Sequence, residues 1–220
     1  RARRGWAGGL TPVLPSCPQF CVLGPLYHML QGSSGSAPLA VLLCSAIETL
    51  ISYASQTRNA QVACNQERLL TDSGPLLPLW NPLVPLGPGA TVHLLRNAIA
   101  VSGIRLLATP CRSGLVRLAR CAGAGASPRS AALRFAGDLV ASICAACVSA
   151  PLGQLYNFAI TSEAYMEAGA LARARLLAQF LDENYLARDP QTGALQGLSA
   201  TLGRDLFMRC AYVAVLYTLF

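Results

Sequence analysis

Residues 139–162 contain no Asp, Glu, Arg or Lys, an uncharged run of 24 residues. About 20 predominantly apolar residues suffice for a helix to cross a bilayer, so this run limits the fold more than any other feature. A second uncharged stretch covers 5–47, and its middle, QGSSGSAP at 31–38, reads as a turn. That divides it into a segment at about 11–30 and another starting near 38. Residues 37–55 carry only Glu48, residues 91–110 carry Arg96 and Arg105, and the run from about 198 carries Arg204, Asp205 and Arg209. Five candidate spans result. Charged residues make up 12% of the 220 and mean hydropathy is +0.43, against about 25% charge in an ordinary soluble protein. Disorder, collagen and coiled coil are excluded by this composition, and an ordinary soluble enzyme is disfavoured.

The formal net charge is +7, and all 17 basic residues are Arg. Lysine Schiff-base chemistry is therefore absent, and every fixed cation is a guanidinium suited to bidentate carboxylate or phosphate binding. No groove-binding motif or basic-aromatic stripe points to nucleic acid. The nine Cys and two His give no metal-ligand spacing. Cys144 and Cys147 lie at i, i+3 inside an apolar run and read as small packing residues; Cys17 and Cys21 have no partner pair. No G-x-S-x-G elbow, HExxH or P-loop occurs, and the AGAGA at 122–126 lacks the third Gly of a dinucleotide fingerprint. The expectation is a protein without enzyme chemistry, metal or cofactor.

None of the five spans is free of Gly, Pro or ionisable groups. A charge at mid-bilayer costs at least ~2.5–3.5 kcal/mol and normally faces a bundle interior or wet cavity. A buried soluble bundle and a polytopic bundle around a water-filled cavity both satisfy that rule; the 24-residue run and the low charge favour the second. Between the spans, 59–88 reads as a long connection ending in proline-rich sequence. Residues 162–188 place Leu171, Ala174, Leu177, Ala178 and Leu181 at helical spacing, as in an amphipathic surface helix. Asp182 and Glu183 sit at its charged end.

Three segments open alike, as G-x-[ST]-x-x-L: Gly9 to Leu14, Gly89 to Leu94 and Gly197 to Leu202. The segments between them, ETLISYASQTRNAQ and ASICAACVSAPLGQLYNF, both run from apolar residues into a Gln-containing polar exit. Such recurrence is the mark of a repeat with two helices in about 100 residues.

With these segments on the page, the chain resembles the mitochondrial carrier family, with similarity to tricarboxylate-type carriers. RRGWAGGLTPVLPSCPQFCVLGPLYHML looks like the loop and second helix of a carrier repeat. FAGDLVASICAACVSAPLGQLYNF and LLCSAIETLISYASQTRNAQ resemble odd-numbered carrier helices, the latter with an Ala46-to-Glu48 element. ATVHLLRNAIAVSGIRLLATP and ATLGRDLFMRCAYVAVLYTLF resemble the fourth and sixth. The resemblance implies an all-α polytopic bundle: 1–30 would end a first repeat whose first helix is absent, 31–120 would form the second repeat and 121–220 the third.

It also implies transport of a small organic anion across the mitochondrial inner membrane by alternating access. Gly103, Ile104 and Arg105 fall where carriers contact substrate on the fourth helix, and Arg209 lies midway along the sixth. Either Arg binds the anion, or it pairs with a carboxylate such as Glu48 or Asp138, or it snorkels. Arg96, Arg204 and His93 are better accounted for as structural groups. The family's gate, a proline followed by an acid and a base, survives only as remnants: Gln56 and Arg58 in one copy, Pro151 and Gln154 in the other, with Gly153 in the acid's place. A gate here would be hydrogen-bonded through Gln56, Gln154 and Asn157. The eroded gate raises an alternative, a transport-silent carrier-fold subunit serving a membrane complex structurally or by binding lipid. The implied partners are membrane lipid, the anion and other subunits.

Helices are expected at about 6–30, 37–60, 91–115, 130–158, 164–187 and 198–220, with essentially no sheet. The fourth should bend near Pro151, the fifth should lie across the ends of the others, and Arg105 and Arg209 should face one central polar cavity.

Overall fold

The computed structural model describes residues 13–72, 74–123, 130–189 and 191–219. It is all-α apart from one small hairpin: α1 (Val13–Ser34), α2 (Ala37–Thr71), α3 (Ala90–Ser102), a π-helical turn (Gly103–Leu107), α4 (Ala108–Cys121), α5 (Ala131–Thr161), α6 (Glu163–Glu167), α7 (Ala170–Tyr185), β1 (Leu186–Arg188), β2 (Leu195–Leu198) and α8 (Ala200–Leu219). The Gly9 repeat opening and the expected helical residues before 13 lie outside the described residues.

Several expectations need correction. α2 runs to Thr71 because 56–71 offers no Gly or Pro, and it stops where Asp72 turns left-handed (φ 51°) with its N–H on the Arg68 carbonyl. The connection is accordingly shorter than expected. Its proline-rich chain closes only local turns on itself, such as Val84 N–H to the Asn81 carbonyl at 3.0 Å, and α2 side chains pair with the rest. Asn65 exchanges two hydrogen bonds with Leu77, Gln61 Oε1 accepts from Trp80 N–H, and Tyr53 donates to the Pro88 carbonyl at 2.6 Å. The expected helix at 164–187 is broken at Ala168 and Gly169, both extended, and its end becomes β1, antiparallel to β2. Asp182, at the charged end of that segment, is exposed and is bound by Arg188 of the hairpin. That ion pair holds its carboxyl below the usual range. α5 is helical on both sides of Pro151.

α3, the π turn and α4 form one rod. The widened turn falls just before Pro110, which has no N–H to offer the Leu106 carbonyl and a ring that crowds it. α5 is the hub: it packs against α3, α4 and α8, and more lightly against α2, while α2 packs against α1 and α3. At Gly103 a Cβ would collide with the Ala145 Cβ, so the rod and α5 approach at backbone distance there. Gly89, the residue before α3, has φ 79° and sits against Ala159, so two constraints demand glycine at that repeat opening.

Two apolar clusters form: Tyr27, Ala40, Val41, Cys44 and Val101 at one end, and Tyr53, Val92, Leu155, Tyr156 and Ile160 at the other. Leu177 and Leu181 of α7 join Phe180 in covering the second. Between the clusters α2 buries Ser45, Glu48, Thr49 and Ser52 while Leu42, Leu43, Leu50 and Ile51 stay exposed, Ile51 by 62%. α2 and α5 are long and apolar enough to cross a membrane; the rod and α8 carry Arg residues within their apolar stretches.

Within the C-x-x-C, Cys147 packs against α8, its sulfur 3.5 Å from that of Cys210. A chain retaining only these two thiols should form an intramolecular disulfide under mild oxidation, seen as a loss of two hydrogens in the intact mass. A chain that stays reduced would mean that α8 packs elsewhere. Gly103→Val should destabilise the protein by about 1–3 kcal/mol, as overpacking does, read from the thermal midpoint, and Ala145→Gly in the same chain should recover part of the loss.

Candidate functional site

The polar side chains between the two clusters are paired partly with their own helix and partly with one another, since a buried polar group without a partner costs about 1–3 kcal/mol; His93 Nδ1 is buried without a partner. Ser45 and Thr49 donate to the carbonyls four residues back, at 2.8 and 2.7 Å. Ser52 Oγ lies 3.0 Å from His93 Nε2, and Asn97 Nδ2 donates to Thr49 Oγ1 at 3.2 Å. His93 stacks on Tyr156 with ring centroids 4.6 Å apart. α2, α3 and α5 are thereby joined by one polar layer.

Arg96 extends from that layer. Its guanidinium donates to Gln56 Oε1 at 2.6 Å and Asn97 Oδ1 at 3.3 Å, and stands 5.4 Å from the Tyr156 ring centre. It also lines a cleft of about 310 Å³ between α3, α5 and α8. α5 contributes Ser149, Gly153 and Asn157, which share a face at i, i+4 and i+8 spacing, with Gln154 flanking it. α8 contributes Asp205, Met208, Arg209 and Tyr212 on the same principle. Arg209 lies 5.6 Å from the Tyr212 ring centre. Among the described residues neither Arg96 nor Arg209 takes part in an ion pair. Asp205 does, with Arg204 at 3.4 Å, and it accepts from Tyr185 at 3.2 Å. The cleft thus presents two guanidiniums and several neutral hydrogen-bonding groups, and its one carboxylate is already engaged. Such a surface has the donors and positive charge that suit an anion.

The expected pairing of Arg105 with Arg209 is not found. Arg105 does not line this cleft; it lies over the Tyr27 ring, 4.8 Å from its centre, beside Gly24 of α1. Gly103 is buried against α5, and Ile104 is half exposed. Asp138, a candidate partner for Arg105, receives both bonds of Arg112 at 2.7 and 2.6 Å. The cation that joins Arg209 is Arg96, which the sequence reading had set aside as structural. A signal was present: α3 has no Asp or Glu, so no carboxylate on its own helix is within reach of Arg96.

The gate remnants also separate. Gln56 holds Arg96, Gln154 and Asn157 line the cleft, Arg58 is exposed, and Pro151 lies inside α5. The α2–α5 closure is made by Thr57 Oγ1 and Tyr156 Oη at 2.7 Å, and by Gln61 donating to the Ile160 carbonyl at 3.3 Å. Among the described residues the structure is all-α apart from one small hairpin, with two helices long and apolar enough to cross a membrane and a cationic interhelical cleft. No family model matches the chain, and no curated protein or solved structure matches it.

Thr57 is 1% exposed, so Tyr156→Phe leaves its hydroxyl without its interhelical partner. The expected cost is about 1–3 kcal/mol, measured by thermal denaturation. Adding Thr57→Val should then cost little more, and strict additivity of the two would mean that the bond does not join the helices.

Proposed function

We propose that this chain is a carrier-like transporter that moves a small organic anion across the mitochondrial inner membrane by alternating access. The observation that carries this reading is that Arg96 and Arg209 line a single polar cleft between helices, each without a carboxylate partner among the described residues. Two cations sharing a cleft repel, and a bound carboxylate relieves the repulsion with charge-assisted bonds.

The membrane setting is supported by the inverted polarity of α2, which buries Ser45, Glu48, Thr49 and Ser52 and exposes Leu42, Leu43, Leu50 and Ile51. In lipid there is no hydrophobic gain from hiding leucine, while polar groups and small residues gain from facing other helices. The α5 surface follows the same rule: Ala141, Ala145, Ala146 and Ser149 are buried, and Val140 and Val148 are exposed. The carrier resemblance supplies the repeat architecture and the location.

A second reading, a transport-silent structural or lipid-binding subunit on the same fold, is favoured by the neutral α2–α5 closure at Thr57 and Tyr156, where the resemblance implies ion pairs. The two readings differ in uptake.

Alkaline carbonate should leave the protein in the membrane pellet. In reconstituted vesicles, Arg96→Gln and Arg209→Gln should each lower uptake of a labelled di- or tricarboxylate by about tenfold or more, equivalent to ~1.4 kcal/mol or more. Arg209→Lys should also impair it, because the planar fork is lost. Undiminished uptake by the double glutamine variant would falsify the anion site. Absence of uptake by the complete wild-type protein, with stable co-purification in a larger complex, would select the second reading.

A further inference from the structure

α8 is attached to the rest of the bundle unevenly. At its start, Ser199 N–H donates to the Tyr185 carbonyl at 2.9 Å, and the Tyr185 hydroxyl donates to Asp205 at 3.2 Å. Further along, it packs against α5, while Phe207, Met208 and Tyr212 stay exposed, Phe207 by 71%. A helix pinned at one end and covered on one side has few contacts to stop it rolling or swinging. The cleft wall made by Met208, Arg209 and Tyr212 would move with it.

A second point of attachment exists in the form of two thiols. Cys210 stands roughly 15 Å along α8 from its start, at 1.5 Å per residue. Its sulfur is 3.5 Å from that of Cys147 on α5, and both residues are free cysteines and half-buried. Closing that contact to a bond of about 2.0 Å asks each helix for well under 1 Å of movement. Cys144 offers no competing partner within α5. Residues at i, i+3 have Cβ atoms about 5–6 Å apart, beyond the ~3.5–4.5 Å that a disulfide spans. Cys44, the buried cysteine of α2, is turned to the Leu23 carbonyl at 3.8 Å.

Packing alone would account for a small residue at this contact, and α5 uses Ala141, Ala145, Ala146 and Ala150 for that purpose. Two cysteines from different helices meeting sulfur to sulfur are a bondable arrangement. It also lies beside the cleft in sequence, since Cys210 follows the cleft residue Arg209, and Cys147 precedes Ser149 by two residues.

We propose that Cys147 and Cys210 form a reversible dithiol–disulfide switch that clamps α8 onto α5 and fixes the width of the two-arginine cleft. The oxidant is a hydroperoxide, hydrogen peroxide in the simplest case, which is small and uncharged enough to enter a helix contact. One sulfur attacks the O–O bond, becomes a sulfenic acid and releases water. The other then attacks that sulfur and releases a second water. The two thiols lose two electrons and two protons in all, and one hydrogen peroxide becomes two waters. A dithiol reductant restores the pair by exchange through a mixed disulfide and is itself oxidised. With the hairpin holding one end of α8 and the disulfide holding its middle, the helix can neither roll nor swing. Control of anion passage rests on the proposed function, whereas the clamp itself does not.

The test uses the full wild-type chain with its C147S and C210S variants, each treated with hydrogen peroxide or with dithiothreitol. Peptide mapping without reduction should join the Cys147 and Cys210 peptides with a loss of two hydrogens. Amide hydrogen exchange through 205–212 should then slow by about tenfold or more, recover with dithiothreitol, and not slow in either serine variant. In vesicles, oxidation should lower carboxylate uptake by about tenfold or more in the wild type and leave C147S unaffected. A disulfide mapped to other cysteines overturns the switch, as does a Cys147–Cys210 bond that leaves exchange in α8 unchanged. Uptake that persists at full rate once the bond has formed overturns control of the cleft and leaves the transport reading intact. A reduced chain without uptake whose α8 still slows on oxidation supports the clamp and defeats the transport reading alone.

Discussion

Thr49, Ser52, His93 and Asn97 meet at hydrogen-bonding distances in the interior of the helix bundle, with Ser45 closing onto its own helix. Because these groups are buried, each must find its partner inside the protein. That requirement sets the rotation of α2 about its axis, turning its serine and threonine face toward α3 and leaving Leu42, Leu50 and Ile51 outside. It sets α3 as well, since His93 and Asn97 can reach α2 in only one orientation. With α3 so placed, Arg96 emerges beside Gln56 and Tyr156, and the position of the cationic cleft follows.

The cleft and the closure beside it are held by different chemistry. Arg96 is steadied by two amide oxygens and an aromatic face, which leave its charge uncompensated. Arg209 has only the Tyr212 ring. Of the nearby carboxylates, Asp205 lines the cleft but is engaged by Arg204 and Tyr185, Asp138 belongs to Arg112, and buried Glu48 acts on Arg96 electrostatically without an ion pair. The α2–α5 junction, by contrast, is neutral, made by Thr57 with Tyr156 and by Gln61 with a carbonyl. A bond of that kind separates at a modest cost and is insensitive to salt, unlike a ring of ion pairs. Charge is thus concentrated where a ligand would sit and removed from where helices would part.

Legibility in the sequence differed from feature to feature. The helix around 139–162 was readable because freedom from charge over 24 residues is a property of the chain itself. The start of α3 was readable in Gly89, whose left-handed backbone admits few other residues. The hairpin at Leu186–Arg188 was hidden, since it is a few residues that pair only once α7 and α8 are in place. The continuation of α2 to Thr71 was obscured by its polarity; Gln61 and Asn65 look like loop residues until the proline-rich segment is seen accepting and donating through them. One difference was foreseeable. Arg96 and Arg105 are nine residues apart, and at about 100° per residue they point to roughly opposite sides of a helix. Only one could face the cleft, and the sequence reading chose Arg105.

The sequence by itself determined that the chain would be helical, poor in charge, equipped only with guanidinium cations, and divided near 31–38 and in the proline-rich stretch before 89. These follow from local composition and from backbone limits on Gly and Pro, which act over a few residues. Tertiary structure decided which arginines share a cleft, that Cys147 meets Cys210 and not Cys144, and that Asp138 belongs to Arg112. Those outcomes depend on the rotation and height of each helix against neighbours distant in sequence. They are set by the mutual satisfaction of buried polar groups and by close approaches such as Gly103 on Ala145, neither of which any single segment contains.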